Sequence, residues 1–315
     1  MNLELTDVQK AVRDTARTFA RERIAPIAKA LNEEERFPTE LLREAASLGL
    51  LGVNVPEEYG GSAAGVVSYA LSIMEIAEAD CGTTVAVAVT NMVAELINAF
   101  GTDTQKQKYL PRITSGEALC GAFALSETQS ASDAAGMKTF AERRGDSYVL
   151  NGAKQWISHG AYAGVFVVWA RTDRDAKGSR GISAFIVEGG TRGLTAGRPE
   201  EKMGIRSSNT VPLVFEDCVI PAGNLLGKEG DGFKLAMIAL DGGRIGIGSQ
   251  ACGVSRAALA ASVRYAKERT AFGHPTGDFQ ALRFFMADMA TQLKAAELMV
   301  LRAAFLKEQK RPFTR

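Results

Sequence analysis

The sequence has little of what disulfide frameworks and metal centres require. Only four cysteines and two histidines occur among its 315 residues, and the cysteines, which form no CxxC pair, are Cys81, Cys120, Cys218 and Cys252. Widely spaced cysteines of this kind are typical of buried free thiols in a reducing compartment. Two histidines are too few for most zinc or di-iron sites. We therefore expect free thiols, no metal and a cytoplasmic location.

An excess of charge of either sign is also missing. Lysine and arginine total 37 against 36 aspartates and glutamates, a net charge of +1, which gives no reason to propose nucleic acid or an anionic membrane as partner. We expect that no apolar run of the sequence approaches the roughly 20 residues of a membrane span. The N-terminal MNLELTDVQK lacks the basic start and apolar core of a signal peptide. We expect neither nucleic-acid binding nor a membrane span.

What is present is a chain long enough for two or three domains, with 46% hydrophobic residues. Residues 5–118 show successive helical patterns, and the next hundred residues show short β-rich runs separated by glycine. Helical periodicity then returns and continues to the end. The predicted fold is a multidomain α+β protein with an all-α domain (1–118), a β-sandwich or barrel (119–228) and a helical bundle (229–315).

Several local patterns predict particular structures. Thr6 and Gln9 form a capping box, and Pro26 is expected to kink or end the first helix. The β-branched run 85–90 could be a strand, but the 16-residue apolar stretch that contains it favours a helix. Asn151-Gly152 predicts a hairpin turn.

The stretch 121–160 carries the strongest indication of a binding site. An apolar run ends at Leu125, and a polar segment rich in small hydroxyls begins at Ser126, as at a strand end that offers hydroxyls and N–H groups to an anion. Trp156 and Ser158 are two residues apart, so a regular strand would place both on one face. An indole beside a hydroxyl suits a flavin ring, although core packing with a surface hydroxyl explains the same spacing.

These segments resemble the acyl-CoA dehydrogenase family. Leu125-Ser126-Glu127 with Ser132-Asp133 is similar to the family's LTEPxAGSD, and 151–158 is similar to NGxKxWIT. The resemblance spans the whole chain, and residues 239–315 look closest to the short-chain, butyryl-CoA branch. It implies a flavoprotein whose FAD is bound by Leu125, Ser126, Ser132, Trp156 and Ser158.

A second group lies in the C-terminal half. Asp241 and Arg244 share a helix face at i and i+3. The resemblance implies that Arg244 binds phosphate or adenine-side groups of CoA and Asp241 the pantetheine chain, with Ser132 also on the CoA side; a surface ion pair is the alternative. Gln250 would border the acyl pocket, or else pack between helices. The G-x-G-x-x-A at 246–251 follows a predicted helix rather than a strand, so we reject a nicotinamide-binding fold.

A third group consists of Arg269, Phe272 and Gln280. The resemblance implies that these residues reach the FAD pyrophosphate and adenine of a neighbouring subunit, and an arginine fork suits pyrophosphate. The chain would then be a homo-oligomer, a dimer of dimers. A helix-ending arginine with a packed phenylalanine is the alternative.

The resemblance implies an oxidoreductase of fatty acid β-oxidation that converts a short-chain acyl-CoA to its trans-2-enoyl-CoA and passes electrons to an electron-transfer flavoprotein. The family's usual base, a glutamate in an I-Y-E-G-T segment, would lie beyond Arg315, and the alternative base position is Gly243. No catalytic base is therefore identified, and we expect a C-terminally truncated form that lacks the last two helices of the bundle. The alternatives are a flavin or acyl-CoA-binding protein without turnover, and an oxidase.

Overall fold

The computed structural model describes residues 4–314, which form two compact units. The described parts of 1–28, 64–84 and 244–315 form the first unit, and residues 29–63 and 85–243 form the second. Three helices, 28–33, 81–100 and 232–268, contribute residues to both units.

Eight α-helices are present among the described residues. Their bounds are α1 (Asp7–Phe19), α2 (Ala28–Glu33), α3 (Thr39–Ser47), α4 (Gly65–Ala79), α5 (Cys81–Phe100), α6 (Asp103–Thr114), α7 (Gly232–Glu268) and α8 (Gln280–Glu308). The capping box is confirmed, because Thr6 Oγ1 accepts from the N–H of Gln9 at 3.2 Å and Gln9 Oε1 accepts from that of Thr6 at 3.0 Å. A π-helical turn, Ala20–Ile24, precedes Pro26 and separates α1 from α2, as a proline kink requires.

Helix α5 settles one prediction and corrects another. Residues 85–90 are helical, so the preference for a helix is confirmed. The helix has 20 residues and is apolar enough to cross a membrane by length and composition, so the statement that no run approaches that length was wrong. Of its most apolar 18-residue window, 61% is buried inside the structure, as is usual for the core helix of a globular protein.

The second unit contains an eight-stranded sheet. Its strands are β1 (Gly121–Ala124), β2 (Phe140–Arg144), β3 (Ser147–Ser158), β4 (Val165–Arg171), β5 (Ile182–Glu188), β6 (Leu194–Ala196), β7 (Thr210–Pro221) and β8 (Leu225–Leu226). The order is β6-β7-β3-β2-β4-β5-β8, and β1 pairs with β4 in parallel. Trp169 on β4 is fully buried in the core and donates to the carbonyl of Gly232 at 2.7 Å. The β-rich runs of the sequence at 148–150, 165–170, 182–187 and 211–215 lie within β3, β4, β5 and β7.

The predicted hairpin turn at Asn151-Gly152 is wrong. Both residues lie inside β3, where the register with β7 shifts between Leu150 and Gly152. Gly152 has φ +139°, and a Cβ atom there would lie 2.7 Å from the Cα of Thr139. Glycine therefore permits a β-bulge and a close backbone approach rather than a turn. The turn between β2 and β3 contains Gly145, at φ +59°.

Helix packing in the first unit explains the G-x-G-x-x-A segment. Helices α1 and α8 both contact α4, and a small apolar cluster joins α4, α7 and α8. Gly246 lies inside α7, and a Cβ atom there would lie 2.4 Å from the Tyr69 hydroxyl. The segment is helical, as predicted, and its small residues let helices approach closely.

Candidate active site

The loop 126–139 connects β1 to β2 and carries the predicted flavin-binding hydroxyls. Glu127 holds this loop from the inside, because its carboxylate accepts from the N–H groups of Lys138 at 2.7 Å and Thr139 at 3.0 Å, and from Gln129 Nε2 at 2.6 Å. Lys154 on β3 completes the set with Nζ at 2.9 Å. A buried carboxylate with four donors fixes the loop against the sheet.

The Glu127–Lys154 pair is almost completely removed from water, with side-chain exposures of 3% and 0%. Burial alone would raise the pKa of Glu127, but the charge of Lys154 and the N–H donors lower it to about 2. Glu127 is therefore an ionised structural anchor, and its low pKa makes it a poor proton acceptor. The sequence analysis did not identify this role of Glu127 in the loop.

Trp156 lies beside this loop on β3. The N–H of Gln155 donates to the carbonyl of Ser126 at 2.9 Å, which joins the strand to the start of the loop. Trp156 itself has φ +58° and its side chain is 49% exposed. A tryptophan whose backbone lies in the left-handed region and whose indole remains half exposed is unusual. Backbone strain of this kind is concentrated at binding sites.

The strand is not regular at this point. The register of β3 with β7 shifts between Lys154 and Ile157, so the strand is irregular at Trp156, and the placement of Trp156 and Ser158 on one face stays a prediction. The irregularity leaves Ile157 buried, while Trp156 is exposed and Ser158 is partly exposed. A bulge thus presents the indole, where the sequence predicted a simple strand.

The remaining predicted flavin residues occupy the loop and its start. Leu125 is buried in the core of the second unit, and its carbonyl accepts from Lys154 Nζ at 3.0 Å. Ser126 is partly exposed and Ser132 is exposed. Hydroxyls at the surface of an anchored loop, together with a half-exposed indole, fit a ligand with an aromatic end and a polar end.

His159 was not predicted as a site residue. It follows Ser158, is fully buried at φ +64°, and packs against Phe37 with ring centroids 5.5 Å apart. Neither ring nitrogen has a hydrogen-bond partner among residues 4–314. Burial lowers the pKa of His159 to about 4, so the imidazole is neutral near pH 7. No sequence pattern indicates this environment.

The predicted CoA residues lie on α7. Asp241 is partly exposed and Arg244, one turn later, is exposed. Gln250 is buried, and its Nε2 lies 3.3 Å from Cys81 Sγ. Gln250 Oε1 has no hydrogen-bond partner within the described part of the chain.

Arg269 follows the last residue of α7 and opens a two-stranded hairpin, β9 (Thr270–Ala271) with β10 (His274–Pro275). Phe272 is at its tip with φ +53°, and its side chain is 93% exposed. A phenylalanine so exposed does not fit the alternative of a packed helix staple. Gln280 is exposed at the start of α8. The hairpin was not predicted.

Two composition-based expectations can be compared with the described residues. All four cysteines are free, and three of them are buried. Within residues 4–314, no three histidine, cysteine, aspartate or glutamate side chains are grouped as potential metal ligands.

Comparison with known proteins identifies the family. Models of the acyl-CoA dehydrogenase N-terminal, middle and C-terminal domains match residues 6–117, 122–218 and 230–315. The short-chain specific acyl-CoA dehydrogenase of Clostridium acetobutylicum is 44% identical over all of this chain and 83% of its own length. The structure of butyryl-CoA dehydrogenase from Megasphaera elsdenii is 43% identical, with a TM-score of 0.97 over all of this chain and 83% of that one.

A further structure with a TM-score of 0.97 comes from work on the electron transferring flavoprotein of Acidaminococcus fermentans and its electron bifurcation. Its chain is 44% identical, and the match covers all of this chain and 82% of that one. The fold, an α-helical region followed by a β-sheet and further helices, is shared across these proteins. The chain belongs to the acyl-CoA dehydrogenase family.

Proposed function

We propose that this protein is an FAD-dependent dehydrogenase that converts a short-chain acyl-CoA to the trans-2-enoyl-CoA. One observation carries the proposal: the half-exposed Trp156 is presented in a left-handed conformation beside the anchored loop 126–139. Two of the relatives named above, those from Clostridium acetobutylicum and Megasphaera elsdenii, are dehydrogenases of short-chain or butyryl-CoA substrates, which supports the same substrate class.

The residues of the second unit would hold the flavin. Trp156 would cover the apolar ring, while Ser126 and Ser158 would donate to its polar edge. Ser132 would contact the FAD and also lie on the CoA side. When bound, FAD supplies the acceptor for the hydride that leaves the β-carbon. The anchored loop would exclude water from one side of the reacting atoms, and Leu125 would support the loop from the core.

The proposal assigns no base for the α-proton. Glu127 is unsuited, because its carboxylate is buried, bonded to Lys154 and ionised well below neutral pH. Gly243 has no side chain that could accept a proton. On α7, Asp241 and Arg244 are proposed to bind the CoA moiety, and Gln250 to border the acyl group.

We further propose a homo-oligomer, a dimer of dimers, in which Arg269, Phe272 and Gln280 reach a neighbour's FAD. Exposed apolar surface in the first unit supports this: α7 and α8 border a groove of about 510 Å³, and Phe284, Phe285 and Met299 are more than half exposed. The four free cysteines support a cytoplasmic location. The similarity to the Acidaminococcus structure supports an electron-transfer flavoprotein as the electron acceptor.

In the test, butyryl-CoA is added anaerobically to the FAD-loaded protein, and the absorbance of the flavin bands is measured. Bleaching is expected, and it should weaken along a series of longer acyl chains. A spectral shift without bleaching would instead indicate a binding protein, and rapid reoxidation by oxygen would indicate an oxidase. Trp156→Leu should weaken FAD binding, whereas Val219→Ala, at another exposed apolar position of the same sheet, is the matched control.

A further inference from the structure

Arg171 lies at the end of β4 and has an unusual set of partners. Its guanidinium donates from Nε to the carbonyl of Met137 at 2.9 Å and from Nη2 to the carbonyl of Ala135. It also donates to the carbonyls of Gly178 at 3.0 Å and Ala176 at 3.4 Å. All four acceptors are main-chain oxygens, and they belong to two different loops.

The main chain of Arg171 adds a further contact, because its N–H donates to the carbonyl of Thr139 at 2.8 Å. One residue therefore binds the loop 126–139 at three points along its second half. Glu127, near the start of the same loop, accepts from the N–H groups of Lys138 and Thr139 near its end. The second half of the loop is thus fixed by a carboxylate that accepts from its N–H groups and by a guanidinium that donates to its carbonyls.

We propose that Arg171 is a positioning residue for the flavin site, because its guanidinium holds the loop 126–139 in the conformation that presents Ser126 and Ser132. This inference rests on the proposed function. The planar fork of arginine can bind several carbonyls at once, whereas a lysine ammonium is a point charge that cannot reproduce this geometry. The effect should be local, since β4 itself is held by its pairing with β5 and β1.

The experiment compares Arg171→Met and Arg171→Lys with Arg144→Met, an exposed arginine of β2 whose partner is Glu142. Hydrogen exchange is measured first, on the FAD-free protein. In Arg171→Met the amides of residues 136–139 should exchange at least tenfold faster, while those of β4 and β5 keep their wild-type rates. Arg171→Lys should be intermediate and Arg144→Met unchanged.

FAD affinity is measured next by flavin fluorescence. Arg171→Met should bind FAD at least tenfold more weakly than wild type, and the spectrum of the bound flavin should lose its fine structure. Wild-type exchange and affinity in Arg171→Met, or faster exchange spread evenly over the whole sheet, would overturn the assignment. If the wild-type protein itself bound no FAD, the proposed function would fail, and the flavin role of Arg171 with it. If the wild-type protein binds FAD but Arg171→Met keeps wild-type exchange and affinity, only the assignment of Arg171 is overturned, and the proposed function is unaffected.

Discussion

At residue 154 the chain buries a lysine whose ammonium has one carboxylate partner, Glu127, at 2.9 Å. Glu127→Gln retains the shape of the side chain and an acceptor for the loop N–H groups, but it leaves the charge of Lys154 uncompensated. Breaking a buried pair in this way typically costs about 3–5 kcal/mol, so the free energy of unfolding should fall by that amount. Urea denaturation measures the change.

The double variant Glu127→Gln, Lys154→Met is the control for this prediction. This variant also removes the uncompensated charge of Lys154. It should therefore recover much of the lost stability, since an apolar replacement of a buried pair is often nearly neutral. Equal losses in the single and double variants would show that the uncompensated charge is not the cause.

Because the imidazole of His159 is buried, we expect the free energy of unfolding to depend on pH. Burial lowers the pKa of His159 to about 4 from 6.5, so in acid the unfolded chain takes up a proton that the folded chain does not. The stability associated with the neutral imidazole is fully present above about pH 6.5 and declines as the pH falls toward 4. At 1.36 kcal/mol per pKa unit, the decline amounts to roughly 3 kcal/mol.

The measurement is the free energy of unfolding between pH 7 and pH 4 for wild type and His159→Phe. The variant should show a shallower slope, because it has no imidazole to protonate in the unfolded state. His274→Phe, at an exposed position on the hairpin, is the matched control. Identical slopes for wild type and His159→Phe would contradict the prediction.

At the scale of elements, the sequence predicted what depends on periodicity and missed what depends on backbone conformation. The Thr6 capping box, the helical run 85–100 and the main strands follow from local pattern. The bulges at Gly152 and Trp156 do not, because they depend on the register of β3 with β7. Regular alternation was assumed at Trp156, and the actual conformation is what exposes the indole.

The candidate flavin site shows the same contrast between features that follow from local sequence pattern and features that depend on long-range contacts. Two residues bind the loop 126–139 from the sheet: Lys154 contacts Glu127 across 27 positions of sequence, and Arg171 contacts Met137 across 34. Spacing within one strand cannot reveal such contacts. The resemblance indicated where a flavin would bind, whereas only the three-dimensional contacts show what holds the binding loop. The domain limits at 118 and 228 and the roles of the site residues remain predictions.

Helix α7 offers a test of close packing in the first unit. A Cβ atom at Gly253 would lie 2.3 Å from the main-chain oxygen of Met74, which cannot move without displacing α4. At Gly246 the nearest atom, 2.4 Å away, is the hydroxyl at the end of the Tyr69 side chain. Alanine normally stabilises a helix by about 1 kcal/mol relative to glycine. Here Gly253→Ala should instead lower the free energy of unfolding by about 1–3 kcal/mol.

Gly246→Ala is the comparison for this prediction, because the Tyr69 side chain can rotate away at smaller cost. Thermal and urea unfolding of the two variants should rank Gly253→Ala as the less stable. A gain in stability from Gly253→Ala would mean that α4 and α7 lie farther apart than described.

At the scale of the whole molecule, the hairpin after α7 suits a role outside its own chain. Phe272 occupies a left-handed conformation at the tip and is almost fully exposed, so it contributes little to the core of this chain. Asparagine tolerates that conformation better than phenylalanine. Phe272→Asn should therefore leave the free energy of unfolding unchanged or slightly higher.

If the hairpin reaches a neighbour's FAD, the same substitution should weaken FAD binding at least tenfold, because an aromatic contact to the cofactor is lost. Ile205→Asn is the matched control, since Ile205 is also an exposed apolar residue with positive φ, at +55°. Flavin fluorescence measures FAD binding and sedimentation measures the oligomeric state, both over the same dilution series. FAD should dissociate from the wild-type protein as the oligomer dissociates, because a site completed by two subunits loses affinity when they separate. Retention of FAD by wild-type monomers, or equal affinity in Phe272→Asn and wild type, would exclude a shared site.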